Sequence, residues 1–234
     1  MSGFLISSLI AASTTMLFVG NSYTFANGGL ETQVQSIYES VSPDTLFVIG
    51  HSSGGATYEN HWNNTALLEL IETKDIDIGV FQEQSCMPVI DPEMTYLYGD
   101  SLAFFCLSHV VQPAFLMTWA RKNDPLMLRG LHDGYSRMGS VHSSPVTPCG
   151  VAFDLIRQTH PEIDPYEGDG AHPSVSGSYL AACVIAATLL ETDLSQTGIW
   201  NPPEVPAPVG EILRETAVAA CSLFQQPMEA VNEL

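Results

Sequence analysis

Basic residues are the scarcest feature of this chain: 7 Lys and Arg stand against 26 Asp and Glu, a formal net charge of -19. Only Lys74 and Lys122 are lysines. So negative a surface repels phosphate backbones and anionic headgroups, which argues against nucleic-acid and membrane partners and disfavours polyanionic substrates. Long apolar runs are missing too, and none reaches the length of a membrane-spanning helix. Cysteine is sparse and unpatterned. Cys86, Cys106, Cys149, Cys183 and Cys221 are odd in number and contain no C-x-x-C pair, so no zinc knuckle or redox motif is legible and free buried thiols are expected. His109, His132, His142 and His160 show no ligand spacing, so neither a metal nor another cofactor is expected.

Positive charge is also lacking at the start. Residues 1–13 are apolar and small, like the core of an export signal, but the first basic residue is Lys74, and export signals open on positive charge. A strand-like run begins at Thr15 and leaves little room for a cleavage region, so a cytoplasmic location is favoured and an exported form stays open. The final ten residues are expected to be loose.

What is present suits one globular domain. The 234 residues are 45% hydrophobic, and a domain of this size buries roughly 70% of its unfolded surface without disulfides or a structural metal. Short β-branched or aromatic runs at 15–19, 45–49, 76–81, 114–119 and, more weakly, 140–146 are predicted strands. Helical spacing fills the intervals at 30–40, 62–71, 101–111, 126–137 and 150–158, then 175–190. Such alternation predicts an α/β fold, a five-stranded parallel sheet between helical layers in an α/β/α sandwich of flavodoxin-like type. The core runs over about 14–191, and 192–234 holds a proline-rich connection and a C-terminal helix from 210 to 224.

Ligands of open parallel sheets gather at the carboxyl ends of the strands. Four segments there carry chemistry: Gly20-Asn21-Ser22-Tyr23-Thr24, Gly50-His51-Ser52-Ser53-Gly54-Gly55, Gln82-Glu83-Gln84-Ser85 and Asp169-Gly170-Ala171-His172-Pro173. In the last, an Asp three residues before a His can fold into one turn and fix the imidazole tautomer that accepts a serine proton. The bland alternative makes Asp169 a helix cap and His172 a first-turn filler. Two serines compete as nucleophile. Ser52 sits in a G-x-S-x-G match, but only one strand precedes it and the acid lies beside its His, against that elbow's usual order. Ser22 is favoured. His51, Glu59, His61 and Trp62 could line a cleft, and Trp119 could stack on a sugar or acyl group; packing is the alternative for each.

The four segments, in this order, resemble the SGNH hydrolases, also called the GDSL family. Phe18-Val19-Gly20-Asn21-Ser22 is similar to the first block, with Asn21 in place of the Asp of GDSL, and Gly54-Gly55 to the second. Gln84 stands where the third block has its Asn, and Asp169-Gly170-Ala171-His172 is similar to the fifth block. Within the family, a subgroup with GNSYT at the first block also has the run His172-Pro173-Ser174-Val175-Ser176-Gly177-Ser178-Tyr179-Leu180-Ala181-Ala182. The resemblance covers about 16–190. It implies an esterase acting on short acyl or acetyl esters of small molecules or carbohydrates. Ser22 would be nucleophile, His172 base and Asp169 its orienting acid, with oxyanion donors from Ser22, Gly55 and Gln84; Gln82 is the alternative to Gln84. A domain of this fold that only binds carbohydrate or a partner is the other reading.

Overall fold

The computed structural model describes residues 13–224. The apolar opening stretch and the final ten residues therefore lie outside the described part, apart from Ser13. Along the chain run β1 (Ser13–Gly20), α1 (Ser22–Phe25), α2 (Leu30–Glu39), β2 (Thr45–Ser52), α3 (Tyr58–Trp62), α4 (Thr65–Thr73), β3 (Ile78–Phe81), α5 (Met87–Ile90) and α6 (Pro92–Ser108). β4 (Gln112–Leu116), α7 (Met127–His142), β5 (Val146–Thr147), α8 (Cys149–Thr159), α9 (Val175–Leu189) and α10 (Ala207–Phe224) complete it. The five strands are all parallel, in the order β2-β1-β3-β4-β5. The predicted α/β class and five-stranded parallel sheet are what is observed.

β1 is the hydrophobic spine. Met16, Leu17, Phe18 and Val19 are essentially sealed from solvent, because the strand is paired on both edges and helices cover both faces. α2, α8, α9 and α10 pack on one another as one helical layer, and α3 to α7 form the other. In α9, Gly177, Ala181, Ala182 and Ala186 keep the helix thin, and Ser174 caps it by accepting from the Gly177 amide at 3.1 Å. Consecutive strands leave β1 in opposite directions, β2 on one side and β3 on the other. That reversal opens a crevice above the carboxyl end of β1.

Several boundaries differ from the sequence expectation. Of the predicted strand at 140–146, residues 140–142 are the end of a helix, 143–145 are turn and connection, and only Val146 is strand. Leu128, Leu131, Tyr135, Met138 and His142 make one buried stripe at helical spacing, so α7 continues to His142, ends at left-handed Ser143 and leaves Val146–Thr147 as strand. α6 begins well before 101, because Asp91 caps it by accepting from the Met94 amide at 3.1 Å and Pro92 occupies the first turn. The predicted helix at 62–71 is two helices, divided where the Asn64 side chain caps α4. β4 stops at Leu116, so Trp119 lies in the following loop, while α10 starts slightly ahead of 210. Among the described residues all five cysteines are free, and no helix is long and apolar enough to cross a membrane.

Candidate active site

The turn after β1 is built by close approach. A Cβ on Gly20 would stand 2.2 Å from Thr24 Oγ1 and 2.7 Å from Gln82 Oε1, so only glycine lets the chain fold down on Gln82. The fully buried Gln82 Oε1 accepts from the Asn21 amide at 3.0 Å and from Thr24 Oγ1 at 2.9 Å, while its amide nitrogen donates to Glu83 O. Gln82 thus lies under the turn and offers the crevice no donor. Neutral His61, its pKa pushed down to about 4 by burial, donates Nε2–H to Gly20 O at 3.0 Å. Asn21 caps α1 by accepting from the Tyr23 amide, and its Nδ2 donates to Ala56 O at 3.0 Å. A carboxylate could not make that second bond, which gives Asn21 a physical reason where the resemblance has Asp.

Ser22 therefore opens α1 with its hydroxyl directed across the crevice. Its Oγ lies 2.9 Å from His172 Nε2, and His172 Nδ1 lies 2.5 Å from Asp169 Oδ2. Asp169 Oδ1 also accepts from the Ala171 and His172 amides, each at 2.9 Å. The hydrogen bond from His172, reinforced by those two amides, brings the Asp169 pKa down to about 2. Since Ser174 caps α9, the reading of Asp169 as that helix's cap is not what the structure has.

Aromatic packing holds the His172 turn. Trp119, fully buried, stacks on Phe153 at 4.1 Å and on Tyr23 at 4.7 Å, and donates its indole N–H to Ala171 O at 2.9 Å. Tyr23 meets the His172 ring edge-on at 5.4 Å. Trp119 is thus a packing residue, not an exposed stacking platform.

Ser22, Gly55, Gln84, Asp169 and His172 all line one cavity of about 330 Å³, with Asn21, Tyr23 and Arg121. Gly55 holds φ +68°, where a side chain would be strained. The Gln84 Oε1 accepts from the Cys86 amide at 3.0 Å. The Ser22 and Gly55 amides and the Gln84 Nε2 make no hydrogen bond to a described residue, and all three residues line the cavity. Ser52 is elsewhere: it ends β2 with its Oγ buried and unpartnered, and it does not line this cavity. His51, Glu59 and Trp62 do not line it either. A second His–Asp pair, His142 with Asp100 at 2.8 Å, ties α7 to α6, and no serine hydroxyl bonds its ring. No group of three metal-ligating side chains occurs among the described residues.

Glu83 is a site residue that sequence reading passed over. It is 1% exposed, and its Oε1 accepts from the Tyr58 amide at 2.9 Å and the Gln84 amide at 2.6 Å, fixing the strand-three loop. Burial pushes its pKa from an ordinary 4.5 up to about 7. A raised carboxyl pKa stabilises the fold fully below the unfolded value, and that contribution is lost as pH rises through the folded one. Glu83→Gln keeps the acceptor and removes the buried charge. It should gain roughly 3 kcal/mol over the parent at about pH 8 and nothing at about pH 4.5. Urea unfolding at both pH values checks this; the same difference at both would refute it.

The α/β fold is shared with solved structures that include SGNH hydrolases. A DUF4886 family protein from Bacteroides uniformis superposes with a TM-score of 0.75 at 15% identity, over 92% of this chain and 97% of that one. A candidate SGNH hydrolase from Slackia heliotrinireducens gives 0.64 at 23% identity over 76% of this chain and 100% of its own. The esterase EstA from Pseudoalteromonas gives 0.60 at 12%, over 76% and 97%. Comparison of the sequence with family profiles and with curated proteins returns no match.

Proposed function

We propose that this protein is a serine carboxylic-ester hydrolase that cleaves short acyl esters, acetyl esters included, of small molecules or carbohydrates. The observation that carries the reading is the unbroken chain from Ser22 Oγ through His172 to Asp169, 2.9 Å and 2.5 Å, standing in an open cavity. The structural neighbours among SGNH and GDSL hydrolases support the general class. The subgroup signature GNSYT with its His172-Pro173-Ser174 end block is consistent with it.

In the proposed mechanism Ser22 Oγ attacks the ester carbonyl while His172 Nε2 takes its proton, and Asp169 holds Nδ1–H and stabilises the imidazolium. His172 then protonates the leaving alcohol, giving an acyl ester on Ser22. Water, deprotonated by the same imidazole, attacks the acyl carbon, and the C–Oγ bond breaks as His172 returns that proton to Ser22 Oγ, releasing the acid. Charge growing on the carbonyl oxygen in both steps is met by the Ser22 and Gly55 amides and the Gln84 side chain. A cavity of about 330 Å³ suits small acyl groups.

Gln84→Ala is expected to lower kcat by about 100- to 1000-fold, the usual cost of one oxyanion donor; parent-like turnover of p-nitrophenyl acetate would remove Gln84 from the role. The reading as a whole is tested with a fluorophosphonate probe. Labelling should fall on Ser22 and disappear in Ser22→Ala. Labelling of Ser52, or of no serine, would overturn the proposal and favour the elbow-type or the binding-only alternative.

A further inference from the structure

Arg121 is the only Lys or Arg lining the Ser22 cavity. We infer that its guanidinium is an anion subsite and that the preferred esters carry a carboxylate beside the scissile bond. The inference rests on the hydrolase reading and sharpens its substrate class.

Arg121 is held before any ligand arrives. On one flank, Ala120 O accepts from Tyr166 Oη at 2.8 Å; on the other, the Lys122 amide donates to Gly170 O at 2.9 Å and Lys122 O accepts from Arg157 at 3.0 Å. These bonds tie the loop after β4 to α8, to Tyr166 and, through Gly170, to the turn that carries Asp169 and His172. The side chain is anchored as well, by Nε donating to Cys86 Sγ at 3.3 Å. Its two terminal nitrogens donate to no described residue, and no ion pair among the described residues includes it.

That vacancy is unusual in a chain with 26 carboxylates and 7 cations, where partners are in surplus. The other arginines are all engaged. Arg129 faces Asp133, Arg137 covers the Tyr96 ring, Arg157 donates to Lys122 O and Arg214 to Tyr179 Oη. The nearby Asp169 attracts Arg121 but makes no ion pair or hydrogen bond with it: its Oδ1 accepts from the Ala171 and His172 amides and its Oδ2 faces His172 Nδ1. What remains is a planar fork with open donors, the geometry that pairs a carboxylate through two parallel bonds. One guanidinium balances one negative charge. A dianion would leave a surplus charge beside ionised Asp169, so a carboxylate fits better than a phosphate.

The experiment compares kcat/KM for mono-(4-nitrophenyl) succinate, with its acyl-side carboxylate, and for 4-acetoxybenzoate, with its alcohol-side carboxylate, against 4-nitrophenyl butyrate and phenyl acetate, the uncharged partners. At least one charged ester should be favoured by about 10- to 100-fold in the parent, carried by KM. Arg121→Gln should bring that ratio to about one, and Arg121→Lys should restore part of it. Competitive inhibition of the parent by benzoate but not benzyl alcohol gives a readout that needs no variant. A parent ratio at or below one for both charged esters, or a ratio retained in Arg121→Gln, overturns the inference while neutral turnover leaves the hydrolase reading standing. Stronger inhibition by phenyl phosphate than by benzoate overturns the carboxylate assignment. If no ester turns over and Ser22 takes no fluorophosphonate, the hydrolase reading has failed and the inference falls with it.

Discussion

Ser22→Ala is expected to lower kcat on any ester the protein cleaves by at least about 10⁴-fold, leaving the residual rate that bound donors alone support. Ser22 Oγ is 2.9 Å from the only imidazole that lines the cavity, and no second hydroxyl is bonded to that ring. Because nucleophile and base act as one unit, His172→Ala should cost a similar factor, and the double variant little more than either single one. Multiplicative losses would show that the two residues work separately. The fold should survive both changes, since both side chains sit at the rim of a crevice and not in the core. Parent-like unfolding in urea with absent turnover is the expected pair of results. Loss of less than about 10-fold in Ser22→Ala would place the chemistry elsewhere.

Asp169→Asn carries the second large effect, a fall in kcat of about 10⁴-fold with little change in structure. Asn keeps the oxygen that accepts from the Ala171 and His172 amides at 2.9 Å, so the turn persists. Its amide group, however, would point a donor at His172 Nδ1. The ring would then carry its proton on Nε2 and present a donor to Ser22, the wrong tautomer for a base. Parent Asp169, with its pKa near 2, stays ionised over the whole range in which such an enzyme would be assayed, so no acid limb of the rate profile should come from this carboxylate. A variant that retains more than about a tenth of parental kcat would mean that the carboxylate does not govern the tautomer.

Legibility in the sequence followed the range of the forces involved. β1 was readable because a fully buried central strand must be a continuous apolar run, and α9 because its alanines must lie close on the sheet. Asp169 and His172 were readable because their partnership is local, closed within one turn. The fifth strand exists but starts later than the sequence suggests: Val141 is β-branched, while the buried stripe from Leu128 to His142 that keeps it in a helix depends on what α7 packs against. The motif around Gln82 and Glu83 does not reveal their structural roles, and Gln82 is no oxyanion donor to the cavity but a buried acceptor. Gln82 holds the nucleophile turn from beneath and Glu83 holds the Gln84 amide, arrangements made only when β1 and β3 pair. Arg121 had no signature at all. Its interest lies in two terminal nitrogens that donate to no described residue, which no spacing encodes.

Asp169 and His172 form a module of their own, closed by hydrogen bonds inside a single turn and backed by Trp119. Ser22 belongs to another body, anchored through Asn21 to Gln82 and the sheet. The seam between them is held by the 2.9 Å contact of Ser22 Oγ with His172 Nε2, by Tyr23 stacked on Trp119 and edge-on to His172, and by Asn27 Nδ2 donating to Pro173 O at 2.9 Å. With several clasps along that seam, warming should not part the two bodies ahead of melting, and the temperature of half-activity should coincide with that of unfolding.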